Sequence, residues 1–381
     1  MIMNSFKMLI GNRAAFIGLI FGFFLAILLI SQQSAIYLGL ISRSYRISTI
    51  FSSPDIWVID PTTQGEDLIR SMPKDYLQYV KSIPNIQWAV PVNYLLLPLK
   101  TTSGNYQIAE VYGIDDDTLI GLPQSFEGNV EGLYRKGAVI IDSNSAKNLL
   151  AKTSSDGKKI PLRIGDEIEI NGIRGNIAGI AKSTPGFYPQ PIIFALHSQI
   201  QLFSGSSRIQ YIAAKAQKNG DIEQILKQIN SNPKVLGLTK NQFESRIANH
   251  FLKTGILINY GISVLLGMII GFSIAGQIFY MMTVQNISYY ALIKSLGGNE
   301  KMIFKMILFQ AVVVGIIGYI LGTAATLLWG YAIKNTTLTF AFPGKLLLFT
   351  GSVAAIICTL MAFLSIKKVF KVDPYILMTS I

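Results

Sequence analysis

Cysteine and histidine are almost missing from this chain of 381 residues. The one cysteine, Cys358, excludes an intrachain disulfide. The two histidines, His197 and His250, have no cysteine near them, so no zinc site is expected. The ATP-binding motif G-x-x-x-x-G-K-S/T is absent, as are G-x-S-x-G and H-E-x-x-H. These absences predict a chain without catalytic residues, metal or cofactor, and hence not an enzyme by itself.

Charged residues are missing from four long stretches: Ala14–Ser42, Thr254–Ile293, Met306–Ile333 and Leu346–Ile366. A bilayer core of about 30 Å needs about 20 apolar helical residues, and each stretch can supply them. The apolar start at Ala14–Ile30 is too long for a usual signal peptide, and no small-x-small cleavage site follows it. The sequence therefore predicts a membrane α-helical fold with four transmembrane helices, one before and three after a large domain.

The charged residues outside these four stretches indicate how the chain is oriented in the membrane. Residues 43–253 hold 23 Lys and Arg against 19 Asp and Glu, whereas the rest of the chain holds 10 against 2. Most of that excess lies on one side of the four predicted spans, in Lys7, Arg13, Lys294, Lys301, Lys305, Lys367, Lys368 and Lys371. Only Lys334 and Lys345 lie opposite. The positive-inside rule then predicts cytoplasmic termini and an external large domain. Because the excess flanks the spans, no nucleic-acid partner is expected.

The large domain reads as mixed α/β. Strand-like runs are predicted over Asp55–Ile59, Tyr94–Lys100, Tyr106–Ile114, Ala138–Asp142 and Ile192–Leu196. Asn171-Gly172, within Glu167–Ile180, is typical of a two-residue hairpin turn. A further unit is predicted as strand Ile209–Ala216, helix Asp221–Asn230 and strand Val235–Leu238. Helices are predicted over Glu66–Lys81 and Ser143–Lys152, and a loop over Ser183–Pro191.

Amphipathic segments connect this domain to the spans. Ile36, Leu40 and Ile47 recur at helical spacing after the first span, and Phe243, Ile247 and Phe251 do so before the second. Thr239 followed by Gln242 has the form of a capping box. We expect two helices that extend the spans outward, with the alternative that they lie at the headgroup boundary.

Polar and small residues elsewhere favour structural roles. Asp115-Asp116-Asp117 could bind a divalent cation, but such a run is more typical of a turn that caps a helix. Gln277 and Gln310 are expected to form hydrogen bonds between helices rather than to line a substrate path. Three small-x-x-x-small pairs are candidate helix-packing sites, between subunits or within one: Gly18/Gly22, Gly267/Gly271 and Gly318/Gly322.

The loop between the second and third spans has its own pattern. Asn286–Leu296 is helix-like, and Gly297-Gly298 ends it. A short amphipathic helix with a lysine beside it suits a groove on a partner, although this segment alone could equally be an interfacial turn.

Tyr289–Gly322, YYALIKSLGGNEKMIFKMILFQAVVVGIIGYILG, resembles the signature of FtsX-like ABC permeases, with the DevC-type exporter permeases most similar. The shared features are Lys294 and Ser295 before Leu296-Gly297, the pair Gln310-Ala311, and the glycines Gly315, Gly318 and Gly322. DIWVID after the first span and KVDPYIL near the C-terminus also resemble the family. One position departs, because Tyr289 stands where family members commonly carry an acidic residue.

The resemblance implies a mechanotransmission subunit without ATPase activity of its own. Its implied partners are a cytoplasmic ABC ATPase, a second copy of the chain, a periplasmic HlyD-like adaptor and an outer-membrane channel. It implies a bacterial inner-membrane location, which suits an external domain without disulfides. The residues expected to couple to the ATPase are Ile287, Tyr290, Ala291, Ile293, Lys294, Leu296 and Gly297.

These interpretations divide the chain into nine segments. They are a cytoplasmic amphipathic N-terminus (1–13), the first span with its extension (14–41), the extracytoplasmic α/β domain (42–252), the second span (253–284), the coupling helix and loop (285–302), the third span (303–333), a short external loop (334–345), the fourth span (346–366) and a cytoplasmic C-terminus (367–381).

Two related functions share this layout: an FtsX-like signalling subunit controlling an external hydrolase, and a lipoprotein-release permease. A stand-alone receptor does not explain the cytoplasmic loop.

Overall fold

The computed structural model describes residues 2–65, 68–153, 158–183, 186, 190–253, 255–333, 336 and 338–370. Two compact units form: Met1–Leu40 with Gly255–Ile381, called the helical unit, and Ile41–Thr254, called the α/β unit. Parts of several predicted segments lie outside the described residues, among them 66–67 of the helix over 66–81, 184–185 and 187–189 of the loop over 183–191, 254 of the second span, 334–335 and 337 of the short loop, and 371–381 of the C-terminus.

The described residues form eleven α-helices. In chain order they are α1 (Ile2–Gly11), α2 (Arg13–Ser44), α3 (Arg46–Ile50), α4 (Asp75–Lys81), α5 (His197–Ser204), α6 (Ile222–Ile229), α7 (Lys240–Lys253), α8 (Ile256–Gln285), α9 (Ile287–Ser295), α10 (Glu300–Ala332) and α11 (Gly344–Phe370). A 3₁₀ turn spans Glu131–Tyr134, and a π-helical turn spans Ser145–Leu149.

The same residues form thirteen strands. In chain order they are β1 (Ile56–Ile59), β2 (Ile86–Val92), β3 (Tyr94–Thr101), β4 (Tyr106–Ile114), β5 (Glu127–Gly128), β6 (Ala138–Asp142), β7 (Lys152–Thr153), β8 (Lys159–Ile160), β9 (Glu167–Ile170), β10 (Ile173–Ala181), β11 (Ile192–Leu196), β12 (Tyr211–Ala216) and β13 (Leu236–Thr239).

Four helices are long and apolar enough to cross a membrane. The qualifying segments are Arg13–Ser44, Leu257–Gln285, Glu300–Ala332 and Gly344–Ile366. Their inner faces share one apolar core that includes Phe23, Phe279, Val314 and Ile357. The predicted fold class, one span, a mixed α/β domain and three further spans, is confirmed.

The α/β unit contains a four-stranded antiparallel sheet in the order β13-β1-β12-β2. Helix α4 connects β1 to β2, and α6 connects β12 to β13. This β-α-β, β-α-β order is that of a ferredoxin-like fold, which is split here between β2 and β12. Ile56 and Val58 of the sheet pack with Leu77 of α4 and Ile225 of α6 in one apolar core.

The insertion between β2 and β12 builds a second sheet with the order β5-β10-β6-β11-β4-β3-β9. Because β9 also pairs with β10, six of these strands close into a barrel and leave β5 outside the ring. Alternate residues point inward, as with Leu97 and Leu99 of β3 or Ile168 and Ile170 of β9. The barrel is thus filled by its own side chains.

The local strand predictions hold well. Three predicted strands coincide with β4, β6 and β11. The Asn171-Gly172 hairpin is confirmed, since both residues have positive φ (50° and 78°) and β9 pairs with β10 across them. The predicted strand–helix–strand unit is confirmed as β12, α6 and β13, with ends shifted by one or two residues.

Two predicted helices are confirmed over part of their length. Of residues 68–81, the described part of the helix predicted over Glu66–Lys81, only Asp75–Lys81 is helical, because Met72 precedes a proline and pairs its backbone with Ile209 instead. Of Ser143–Lys152, a short helical segment ends at Leu149, and Lys152 pairs with Ile160 in a small two-stranded sheet. In both cases strand pairing replaces the helix over the remaining residues, with a distant partner for Met72 and a nearby one for Lys152.

The two predicted extensions of the spans differ. Helix α2 runs unbroken to Ser44, whereas α7 and α8 are separate helices with Gly255 between them at φ +84°. The amphipathic helix predicted before the second span is confirmed as α7, which ends before the span helix α8 begins. The capping box at the start of α7 is confirmed: Gln242 N–H donates to Thr239 Oγ1 (3.2 Å), and Thr239 N–H donates to Gln242 Oε1 (3.0 Å).

Candidate functional site

Helix α9 is a separate nine-residue helix between two long ones. Its end is a Schellman motif: Gly298 N–H donates to Ile293 O (2.8 Å), and Gly297 N–H donates to Lys294 O (3.1 Å). Gly297 has φ +87°, which favours glycine there. Asn299 then caps α10 by accepting from Lys301 N–H (3.3 Å). The sequence thus fixes both the end of α9 and the start of α10.

The residues predicted to couple to an ATPase divide between two faces of α9. Tyr290 and Ala291 are buried against the helical unit, and Ile287, Ile293 and Lys294 are half-buried. Leu296 and Gly297 are exposed. The buried pair anchors the helix, so these two side chains are not on its outer surface.

Two residues of the outer surface, Tyr289 and Leu292, were not among the predicted coupling residues, and Leu296 was. Tyr289 is 60% exposed, Leu292 48% and Leu296 80%. The i, i+3, i+7 spacing places these three large apolar side chains in one line along α9. We call them the α9 stripe. The spacing alone could have revealed the stripe, but which of the helix faces is buried depends on the other helices.

A buried polar chain lies behind α9. The Tyr290 hydroxyl donates to Gln310 Oε1 (3.2 Å), and Gln310 Nε2 donates to the carbonyl oxygen of Ser5 in α1 (3.0 Å). Burial raises the pKa of Tyr290 to about 12, so the hydroxyl keeps its proton and acts as a donor. The expected interhelical hydrogen bond of Gln310 is confirmed. Gln277 is exposed on α8 and makes no hydrogen bond to another described residue.

Five of the six predicted helix-packing glycines lie against another helix of the same unit. A Cβ added at Gly22 would lie 3.3 Å from Ile274 Cγ2, and at Gly267 it would lie 3.5 Å from Leu29 Cβ. At Gly318 and Gly322 it would lie 2.8 Å from Phe23 Cβ and Ile27 Cβ, and at Gly271 it would overlap with Ala26.

These glycines let α2 pack closely against both α8 and α10. Gly18 differs, because nothing lies within 4 Å of that position.

The first and last helices of the α/β unit meet on one sheet. Ser48 Oγ of α3 donates to Glu244 Oε1 of α7 (2.7 Å). Phe243 of α7 stacks on Trp57 of β1 with ring centroids 4.6 Å apart, and Phe51 meets the edge of the same indole. We call this set the entry-exit junction. It holds the segment that enters the α/β unit against the segment that leaves it.

A buried ion pair fastens α3 to the barrel. Arg46 forms a salt bridge with Glu110 of β4 and a hydrogen bond with Tyr112, and Arg46 and Glu110 are 1% and 2% exposed. The guanidinium also lies over the Tyr112 ring, 4.9 Å from its centroid. A Cβ at Gly186 would approach Glu110 Oε1 to 2.7 Å, so the backbone covers the pair closely there.

Two residues of the acidic run Asp115–Asp117 accept hydrogen bonds from backbone N–H groups. Asp115 Oδ2 accepts from Thr118 N–H (2.9 Å), and Asp116 accepts from Ser198 N–H near the start of α5 (3.2 Å). No group of three potential metal ligands occurs among the described residues. The turn-and-cap interpretation is the one these hydrogen bonds support, although the capped helix is distant in sequence.

His197 belongs to a buried polar network where the sheet meets the barrel. Its Nδ1 lies 2.5 Å from Asn93 Oδ1, and Gln201 Nε2 lies 2.9 Å from its Nε2. Asn93 Nδ2 donates to Gln210 Oε1 (3.0 Å), so the Asn93 oxygen is left to accept from the imidazole. Burial first, and then Lys74, lower the pKa of His197, against a smaller opposing effect of Asp116 and Asp115.

We expect the α/β unit to lose stability as the pH falls below 6.5, the ordinary histidine value. The unfolded chain then binds a proton that the folded imidazole binds less readily, so protonation favours unfolding. Unfolding temperatures between about pH 7.5 and about pH 5.5, above the carboxylate range, measure this loss. His197→Gln should flatten the slope, and an unchanged slope in that variant would exclude this histidine as its source.

Two family models match the sequence. The model of the MacB-like periplasmic core domain covers residues 15–232, and that of the FtsX-like permease C-terminal covers residues 261–374. No curated protein matches the chain.

The similar solved structures include two transporter domains. The periplasmic region of MacB from Actinobacillus actinomycetemcomitans matches with 13% identity and a TM-score of 0.39, over 54% of this chain and 97% of that one. The extracellular domain of the noncanonic ABC-type transporter YknZ from Gram-positive bacteria matches with 12% identity and a TM-score of 0.36, over 48% of this chain and 99% of that one.

The first family model spans more than half of the chain, and the second covers the last three spans apart from residues 257–260. The chain therefore belongs to the MacB-like and FtsX-like ABC permeases. It is a multi-pass membrane subunit of an ABC transporter, with a periplasmic-type α/β domain between its first and second spans.

Proposed function

We propose that this chain is a mechanotransmission permease that transfers motion from a separate cytoplasmic ATPase to its α/β unit, and thereby drives export. The observation that carries the proposal is the α9 stripe. Tyr289, Leu292 and Leu296 form an exposed apolar line on a helix that Tyr290 and Ala291 anchor. Such a line suits the groove of a protein partner, since amphipathic helices bind grooves through residues at this spacing.

The proposed ATPase contact is the outer surface of α9 with its C-terminal end. It includes the α9 stripe together with Ile287, Ile293, Lys294 and Gly297, while Tyr290 and Ala291 hold the helix from behind. Tyr289 would supply apolar contact where related permeases commonly carry a carboxylate. Lys294 of α9 and Lys301 at the start of α10 would favour an acidic rim on the partner.

Charge supports the orientation in this proposal. The lysines and arginines outside the α/β unit gather at the ends of the spans that also hold α9, which favours a cytoplasmic position for α9 and both termini. The α/β unit would then lie in the periplasm of a bacterial inner-membrane protein. Its entry-exit junction receives both connections from the spans, so a movement of either would act on the same sheet.

The DevC-type exporter permease is the branch we favour, as a homodimer with a HlyD-like adaptor and an outer-membrane channel. The apolar segments Met306–Ile333 and Leu346–Ile366 contain no ionisable Asp, Glu, Lys or Arg that could bind an ion within the membrane. A substrate that never crosses through the spans would need none.

Reconstitution with the ATPase and ATP in proteoliposomes tests the choice of function. Movement of a small molecule or a lipid that depends on ATP would support export. Stimulation of a bound hydrolase without any movement would instead identify a signalling subunit. Release of a lipid-anchored protein bound to the α/β unit would identify lipoprotein release.

A further inference from the structure

Helix α1 is fastened to the helices around α9. Ser5 and Leu9 are fully buried, and Leu9 lies in the same apolar core as Tyr290, Ile303 and Ile307. The carbonyl oxygen of Ser5 accepts from Gln310 Nε2 at 3.0 Å. An amphipathic helix lying loosely at the membrane surface would have no such buried polar bond.

A second bond fastens the far end of α1. Asn12 follows α1 directly, and its Nδ2 donates to Oε1 of Gln285, the last residue of α8 before α9 (3.2 Å). The other atom of the same amide, Asn12 Oδ1, accepts from Ala15 N–H (3.1 Å) and so caps the start of α2. Asn12 therefore joins the segment before α9 to the first span.

Gln310 is suited to join three helices because its amide both accepts and donates. The Ser5 carbonyl can only accept, so it fixes the amide nitrogen on its side and leaves Oε1 for the Tyr290 hydroxyl. Gln310 itself is fully buried. In so dry a site, neither bond can be replaced by water, and both hold their partners firmly.

We propose that Gln310 is a positioning residue for coupling, and that it ties α9 to α1 so that α1 acts as a second coupling element beside α9. A push on α9 would reach α10 through Gln310, α1 through Ser5, and the start of α2 through Asn12. This inference rests on the proposed function, in which an ATPase moves α9. It adds a role for the N-terminal helix and a route to the first span.

Three variants and a matched control test whether Gln310 passes motion from α9 to α1. The experiment uses the full chain with its co-purified ATPase. Gln310→Met has similar size but no amide, and Tyr290→Phe lacks only the hydroxyl. The double variant leaves no donor or acceptor of these two residues unpaired. Gln277→Met makes the same replacement at an exposed glutamine in another span.

Each single variant should retain the ATPase while its nucleotide-driven movement of the α/β unit falls about fivefold or more, a usual size for a lost coupling. The movement is read as a distance change between labels at Ser82→Cys and Lys345→Cys in a Cys358→Ser background. The double variant should regain thermal stability but not coupling, and Gln277→Met should behave as the unmodified chain. Recovery of coupling in the double variant would show that Gln310 only fills space, and would overturn the proposal.

Hydrogen exchange in the chain without the ATPase tests the bond between Gln310 and Ser5 independently of coupling. In Gln310→Met, hydrogen exchange at the amides of residues 5–11 should rise about tenfold, as expected when a buried tie is lost. Unchanged exchange there would contradict the tie itself, whatever the ATPase does. Failure of the unmodified chain to bind any ATPase would instead contradict the proposed function, so the two failures are distinguishable.

Discussion

Ala291→Pro is expected to abolish recovery of the ATPase with the chain. Proline inside a helix removes one backbone hydrogen bond and collides with the preceding turn, at a cost of about 3 kcal/mol. Helix α9 has only nine residues, and Ala291 lies at its middle with 3% of its surface exposed. A helix this short is only marginally stable, so the proline should unfold it. The α9 stripe would lose its alignment, and affinity should fall about 100-fold or more.

Ala291→Ser is the matched control for this variant. Serine keeps the backbone N–H and is nearly as small, so α9 and the bound ATPase should both remain. The measurement is the amount of ATPase that co-purifies per chain from detergent or nanodiscs. An Ala291→Pro chain that folds and keeps its ATPase at the unmodified ratio would show that α9 is not the docking helix.

Glu110→Ala should strongly destabilise the α/β unit. It leaves the buried Arg46 guanidinium without its carboxylate, and breaking a buried pair in this way costs about 3–5 kcal/mol. Because Arg46 is in α3 and Glu110 is in the barrel, the loss should loosen the barrel from the entry-exit junction. Hydrogen exchange in peptides from α3 and β4 of the full chain measures the effect.

An exposed ion pair in the same chain is the comparison for the buried pair. Arg174 and Glu167 form an ion pair whose side chains are 72% and 38% exposed. Glu167→Ala should cost at most about 1 kcal/mol, since water solvates the remaining arginine. The double variant Arg46→Met with Glu110→Gln should recover part of the loss, because no buried charge remains. Equal effects of Glu110→Ala and Glu167→Ala would mean that burial does not set the value of the Arg46 pair.

Local signals in the sequence predicted the spans and many strands. Spans follow from apolar length, and the β9–β10 turn follows from Asn171-Gly172, since both depend on residues close together. The barrel could not be predicted in this way. Its closure depends on β9 pairing with both β3 and β10, and β3 lies far from β10 in the chain. The helix predicted over Glu66–Lys81 was wrong over residues 68–74 for a similar reason, because Ile209 pairs with Met72 from a distance.

The candidate site shows the same division. Gly297 and Asn286 indicated where α9 ends and begins, and apolar residues indicated that it is amphipathic. Which face is buried depends on α1 and α10, so Tyr290 was assigned to the contact surface while Leu292 was missed. The tie from Gln310 to Ser5 joins residues about 300 positions apart. Only packing of the helices brings them together.

The most direct test is whether nucleotide binding to the ATPase moves the α/β unit relative to the spans. Cys358 is the only native cysteine, so a Cys358→Ser chain with Ser82→Cys and Lys345→Cys carries one label in each unit. Mechanotransmission predicts that a non-hydrolysable ATP analogue shifts this distance in the ATPase complex, and that Ala291→Pro removes the shift. A distance that stays constant through the nucleotide cycle of an active, bound ATPase would contradict mechanotransmission by this chain.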